Sequence, residues 1–268
     1  MTTEKREVIG NYEVAEGKLT TRREVLLMGA LAAGSVLSAA APVLAAADAA
    51  AKTPAAAAGE IKEKDFSALL SKKMDGLSSN QIEQHLKLYK GYVTKTKEIN
   101  ALLDASDILT QAPAANATYA PFRELLMEQS FALNGVVYHE LYFGNLGGAG
   151  GEPTGDLKAA LEAKYGSVAK FVDYLKTAGK CMRGWVIVGW NTRDSAIHTY
   201  GLDTHNMWSP AGVLPIVALD VYEHAYMIDY GINRANYLDA FLKNIDWEVC
   251  GKRFNLAHKH PSGADSTT

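Results

Sequence analysis

Only two cysteines occur in the 268 residues, Cys181 and Cys250, too few for a disulfide framework. Neither lies in a Cys-x-x-Cys pattern, which removes the dithiol redox motif from consideration. One bridge between them and two free buried thiols are both open, with the free pair favoured. Long basic runs are also missing, and the formal net charge is -3. Together these argue against a nucleic-acid surface. No glycine-rich nucleotide-binding motif and no internal repeat is present. What the chain does have is 48% hydrophobic and 21% charged residues. That balance fits a soluble globular protein of one or two domains with a sizeable core.

Residues 1–19 are polar, with charges of both signs and no periodicity, and read as a disordered lead-in. Thr20-Thr21-Arg22-Arg23-Glu24 then precede an apolar stretch over 25–47, rich in Ala, Leu and Gly. This is a charged region followed by a moderately hydrophobic one, and Val43-Leu44-Ala45-Ala46-Ala47 offers small-residue cleavage sites. The paired arginines resemble the bacterial twin-arginine export signal, with Val25 where phenylalanine is commonest. A membrane anchor and a chance arginine pair are the competing explanations. The stretch is barely long enough to span, and its Ala and Gly content makes it a weak spanner. The expectation is therefore an exported, periplasmic destination, with membrane contact only through the signal and with cleaved and uncleaved forms both open. Residues 45–59 are a low-complexity Ala-rich linker.

The remainder divides by its hydrophobic period. Ser78 and Ser79 ahead of Gln81 and Glu83 carry helix-start chemistry. A helical stripe follows through His85, Leu88, Tyr89, Tyr92, Val93, Thr96 and Ile99. A second helix is expected over 121–146, and the Gly147-Gly148-Ala149-Gly150-Gly151 run after it is a strong loop signal. A third amphipathic helix is expected over 157–177. The period then changes to short β-branched runs at 184–190, 196–202 and 213–219, with Thr192-Arg193-Asp194-Ser195 as a hairpin turn. One closing helix is expected over 237–254. The fold expectation is α+β: an export signal and linker over 1–59, an N-terminal helical hairpin domain over 60–147, a C-terminal α/β domain with a small antiparallel sheet over 153–256, and a polar tail over 257–268. His258 and His260 read as solvated tail residues.

Within Leu219-Asp220-Val221-Tyr222-Glu223-His224-Ala225-Tyr226, Asp220 and His224 stand four apart. In a helix that spacing puts both on one face. Carboxylate oxygen with imidazole nitrogen suits a first-row transition metal. A surface contact is the commoner use of such a pair, but the apolar flanks place this one in a core, where an unpaired carboxylate is costly. His85, on an apolar stripe, would by itself most often be a satisfied core histidine.

Asp220-Val221-Tyr222-Glu223-His224-Ala225-Tyr226 resembles the D-x-W-E-H-A-Y segment of the iron/manganese superoxide dismutases. His139-Glu140-Leu141-Tyr142-Phe143-Gly144-Asn145-Leu146 is similar to that family's H-x-x-F-W-x-N-L segment. The resemblance covers roughly residues 65–256. It implies a site between the two halves, with His85, His139, Asp220 and His224 as ligands to one iron or manganese ion per subunit and solvent in a fifth position. It places His205 and Tyr92 in catalytic roles, His205 as the outer partner of the coordinated solvent and Tyr92 at the substrate funnel. Gly135, four residues before His139, matches the branch with histidine at the position of His205. Trp185 falls on an aromatic wall position. Glu223 falls on a glutamate that bridges to the equivalent ligand histidine of a second subunit, in a homodimer or a dimer of dimers. The implied activity is dismutation of superoxide to oxygen and hydrogen peroxide.

There are departures. Tyr222 and Phe143 replace tryptophans, and Met227 stands where a tyrosine usually follows. After His85 the family pattern has a histidine four and a tyrosine eight residues on; here those tyrosines are Tyr89 at four and Tyr92 at seven, so either could serve the funnel. These changes bear on proton delivery more than on metal binding. They leave open a metal-binding relative with little turnover, and a different small-anion or peroxide oxidoreductase on the same scaffold.

Overall fold

The computed structural model describes residues 60–259, together with a two-stranded antiparallel pair formed by β1 (Val8–Ile9) and β2 (Tyr12–Glu13). The chain divides into two units, Met1–Ala57 and Ala58–Thr268. The export-signal stretch at 20–47, the Ala-rich linker and the tail from His260 onward lie outside the described residues. Among the described residues, no helix is long and apolar enough to cross a membrane.

The second unit is α+β. After the short helix α1 (Ala68–Ser71) comes α2 (Ser79–Asp104), which starts at Ser78 because the Ser78 hydroxyl accepts the Gln81 N–H at 3.0 Å. Its buried stripe is Ile82, His85, Leu86, Tyr89, Val93, Thr96 and Ile99, at helical spacing. Tyr92 is half-buried at the stripe's margin. A short helix, α3 (Ile108–Gln111), leads towards α4 (Pro121–Asn145), whose first residue is a proline that needs no N–H partner there. The pairs His85–His139, Tyr92–Phe131 and Asn100–Gln129 run in opposite chain directions, so α2 and α4 are antiparallel.

The sheet order is β4 (Ala196–Leu202), β3 (Trp185–Asn191), β5 (Val213–Asp220), all antiparallel. β3 is central and almost wholly buried. Helix α4 packs on β5, and Asn145 at the end of α4 donates its amide to the Ala218 carbonyl at 2.7 Å. The glycine run after α4 docks on the segment after α8 (Arg234–Asn244): the Gly148 N–H bonds Asn244 O at 3.0 Å and the Gly150 N–H bonds Ile245 O at 3.2 Å. A Cβ on Gly148 would lie 2.3 Å from the Ile245 carbonyl, so this approach needs glycine.

Two expected helices are each a pair. The segment at 157–177 is α5 (Gly155–Tyr165) and α6 (Val168–Cys181). Gly166 takes φ +88° to close α5, and the Ser167 hydroxyl caps α6 through the Lys170 N–H. The closing helix is α8 and α9 (Trp247–His258), because the Asp246 carboxylate accepts the Glu248 and Val249 N–H groups and starts a new helix. α9 runs through His258, which is exposed on its last turn beside Phe254. The two cysteines are free, but only Cys250 is buried; Cys181 is exposed where α6 meets solvent.

Candidate metal centre

Asp220 is the last residue of β5, paired to Trp185 of β3. After it the chain enters a 3-10 turn, Glu223–Ala225, followed by α7 (Met227–Tyr230). Asp220 and His224 are therefore not on one helix. A strand end followed by a tight turn brings a residue four along back beside the first, which serves the same purpose.

Three imidazoles point at one carboxylate oxygen. Asp220 Oδ2 lies 3.1 Å from His85 Nε2, 3.2 Å from His224 Nε2 and 3.6 Å from His139 Nε2. The candidate ligand atoms of these residues all lie within 4.8 Å of one another. His85 and His139 come from α2 and α4, and Asp220 and His224 from the end of β5 and its turn. His85, His139 and Asp220 are fully buried, whereas the His224 side chain keeps 28% of its surface.

The protonation pattern suits a cation. His139 donates its Nδ1–H to the Gly135 carbonyl at 2.5 Å, which leaves Nε2 as a lone pair. That Nε2 is buried with no hydrogen-bond partner. Burial holds the His85 and His139 imidazoles below the usual histidine range, His139 well below, so both are neutral. Burial alone would raise the Asp220 carboxyl, but His224 and His85 outweigh it and keep it ionised. Three imidazoles and one carboxylate, converging in a mostly buried cluster, are a donor set for iron or manganese. The orphaned His139 Nε2 shows that the residues fit such an ion.

The surrounding network fixes the donors. Asp220 Oδ1 accepts the Tyr222 N–H at 2.9 Å, and the Tyr237 hydroxyl donates to the Asp220 carbonyl at 2.7 Å. Gln81 spans the turn, donating to the His224 carbonyl at 2.6 Å and accepting from the Ile228 N–H at 3.1 Å. The Tyr222 ring stacks on His224 at 5.0 Å.

His205 is buried beside this cluster. The Trp185 indole N–H donates to its Nδ1 at 2.9 Å. That assigns the proton to Nε2, which donates to the Tyr92 hydroxyl oxygen at 2.8 Å. Burial lowers His205 to about 4 and, with the Asp220 charge, raises Tyr92 to about 12. Gly135 makes room for Tyr92, since a Cβ there would sit 2.9 Å from the ring. Of the two tyrosines on α2, Tyr92 is the one hydrogen-bonded to His205. Tyr89 donates to Glu140 at 3.0 Å and accepts from the Lys64 N–H at 2.9 Å. Glu223 is exposed on the turn, adjacent in sequence to His224. Gln81, Tyr142 and Tyr237 had no role in the sequence-based expectation. Gln81 stood out only as a helix-start residue, Tyr142 only as part of the family-like segment, and Tyr237 only as the start of the closing helix.

Residues 153–253 match the family model for the C-terminal domain of iron/manganese superoxide dismutases. A protein of Aquifex aeolicus named superoxide dismutase [Fe] is 41% identical over 75% of this chain and 93% of its own length. Its counterpart in Aquifex pyrophilus, also named for iron, is 42% identical over 69% of this chain and 88% of its own length. A Mycolicibacterium fortuitum protein named superoxide dismutase [Mn] is 30% identical over 69% and 88%.

Three buried histidines whose folded pKa values lie below the unfolded value of about 6.5 give a pH signature. Below that pH the unfolded chain binds protons that the folded chain refuses, so stability falls as pH drops. Metal-free protein should lose stability steadily from about pH 6.5 toward 4 in urea unfolding. His205→Gln should flatten that slope by about 1.4 kcal/mol per pH unit, the share of one proton. A slope unchanged by the substitution would contradict a neutral buried His205.

Proposed function

This chain belongs to the iron/manganese superoxide dismutase family and is a superoxide dismutase of iron or manganese type, and from that premise we propose that His85, His139, Asp220 and His224 hold the ion, one per subunit. The observation that carries the assignment is the convergence of their ligand atoms around a buried, unpartnered His139 Nε2. Iron is favoured, because both Aquifex relatives above 40% identity are named for it.

Held by His85, His139, Asp220 and His224, an iron or manganese ion would supply the one-electron redox couple that dismutation needs. The chain's own residues handle protons and geometry. Forming hydrogen peroxide consumes two protons for every two superoxide anions. Tyr92, raised to about 12, keeps its hydroxyl proton at neutral pH. It does not spend that proton on His205, which is the donor in their bond. Trp185 holds the His205 tautomer, and Gly135 sets the Tyr92 ring. Tyr92 and His205 thus keep a proton poised at the edge of the ligand cluster, with Tyr222 stacked on His224 as a wall.

Two further parts of the proposal concern assembly and location. Glu223, exposed beside the partly exposed His224, is assigned to the contact between two copies, where it would bond the equivalent histidine of the second copy. Met227 and Ile228, 46% and 48% exposed, supply an apolar margin for that contact. Arg22-Arg23 and the apolar stretch after them are assigned to twin-arginine export, which carries folded, metal-loaded protein to the periplasm. Superoxide crosses membranes poorly, so an exported enzyme meets superoxide formed outside the cytoplasm. A metal-binding relative with little turnover is the second reading. It is favoured by the diversion of Tyr89 to Glu140 and Lys64.

The deciding assay is superoxide consumption per bound ion, after separate loading with iron and manganese. High turnover with one ion is expected. Tyr92→Phe should keep metal content but slow turnover at high superoxide; full metal with negligible turnover for both ions would leave only the low-turnover reading. For export, replacing Arg22 and Arg23 by lysine should hold the protein in the cytoplasm on fractionation. An unchanged periplasmic fraction would remove the twin-arginine assignment.

A further inference from the structure

The dismutation reaction makes hydrogen peroxide beside a redox metal, and a line of tyrosines leads from that metal's ligands to the surface. The Tyr142 ring lies 4.9 Å from the His85 ring. Its hydroxyl is 3.3 Å from that of Tyr237, and both tyrosines are fully buried. Tyr237 is the donor of the pair: its hydroxyl faces the Asp220 carbonyl at 2.7 Å and the Tyr142 hydroxyl oxygen at 3.3 Å, and Tyr142 accepts. Tyr142 falls on the phenylalanine of the H-x-x-F-W-x-N-L pattern, and this link exists only because of its hydroxyl.

From Tyr237 two rings continue outward. Tyr226 stacks on it at 5.3 Å, and Tyr230 lies at 6.4 Å. Tyr226 is buried and carries Arg234, whose guanidinium carbon is 5.5 Å from the ring centroid and whose Nε donates to the hydroxyl at 3.2 Å. A fixed positive charge opposes removal of an electron from that ring. Tyr230 is half-buried, follows Asp229 in the chain, and donates its hydroxyl to the Gly76 carbonyl. The charges therefore favour Tyr230 as the exit.

We propose that Tyr142, Tyr237 and Tyr230 form a path that carries oxidising equivalents out of the metal centre when hydrogen peroxide reacts there, sparing Trp185 and the ligand histidines. Peroxide takes two electrons and two protons to become two waters. One of those electrons would come from the reduced iron that the dismutation cycle leaves, and the other passes inward from Tyr230 to Tyr237 to Tyr142 to the centre, with both protons drawn from solvent. The Tyr237 hydroxyl proton shifts along its hydrogen bond and returns as the electron passes, and Tyr142 keeps its proton. Tyr230 is left oxidised by one electron, and its proton goes to solvent. The proposal rests on the dismutase reading of the site. Trp185, 5.1 Å from His139 and bonded to His205, is the ring at risk without such a path.

The test treats iron-loaded full-length protein with hydrogen peroxide in the presence of a nitrone spin trap, and maps adducts by peptide mass spectrometry. An adduct on Tyr230 that requires iron is expected. Tyr230→Phe should abolish it, raise Trp185 oxidation, and make activity decay several-fold faster in peroxide, with metal content and starting activity as before. Tyr237→Phe should also remove the Tyr230 adduct; Tyr142→Phe tests the same link should loss of the Asp220 bond unfold the first variant. An undiminished Tyr230 adduct in either variant, or in metal-free protein, would mean direct surface attack and overturn the path. So would oxidation confined to Trp185 in the unaltered protein. Dismutase activity before peroxide is read on the same samples, so its absence would count against the proposed function and not against the path.

Discussion

The structure depends on keeping one carboxylate out of water. Asp220 is fully buried, and an isolated buried anion would cost more than most folds can bear. Each neighbouring element contributes to solving that problem. The Tyr222 N–H bonds one oxygen, three imidazoles face the other, and Tyr237 fixes the main-chain carbonyl. Three nitrogens around one oxygen cannot all be satisfied by it, and His139 Nε2 is left without a partner. A metal cation would complete the set by satisfying the nitrogens and the carboxylate together.

The donors sit on elements that cannot easily drift. His85 and His139 belong to helices of 26 and 25 residues packed along each other. Asp220 is pinned by its pairing with Trp185 on the central strand. Only His224 stands on a turn, and Gln81 of α2 bonds both the turn's carbonyl and the start of α7 to hold it. The same economy links site to proton supply. Trp185 pairs with Asp220 through its backbone and orients His205 through its indole, so one residue ties ligand geometry to the tautomer beside it.

Much of this was legible in the sequence, though unevenly. The two long helices, the three strands and the hairpin turn follow from hydrophobic period and turn residues. The four candidate ligands were visible as residue types in recognisable segments, and the structure brings them together. The local shape at Asp220 and His224 was not, because a four-residue spacing fits a helical face and a strand end with a turn equally well. The breaks at Gly166-Ser167 and Ile245-Asp246 were hidden because the apolar period continues across them, although a left-handed glycine and an Asp cap mark them. Gln81 and Tyr237 were not visible as site residues at all. Their partners are backbone carbonyls 143 and 17 residues away, which carry no side-chain signal.

Anomalous diffraction at the iron edge, from crystals of iron-loaded protein, shows whether these four side chains hold one metal ion. A single peak per chain is expected, within bonding distance of His85 Nε2, His139 Nε2, His224 Nε2 and an Asp220 carboxylate oxygen. A peak elsewhere, or iron-loaded crystals in which His139 Nε2 meets only solvent, would contradict it.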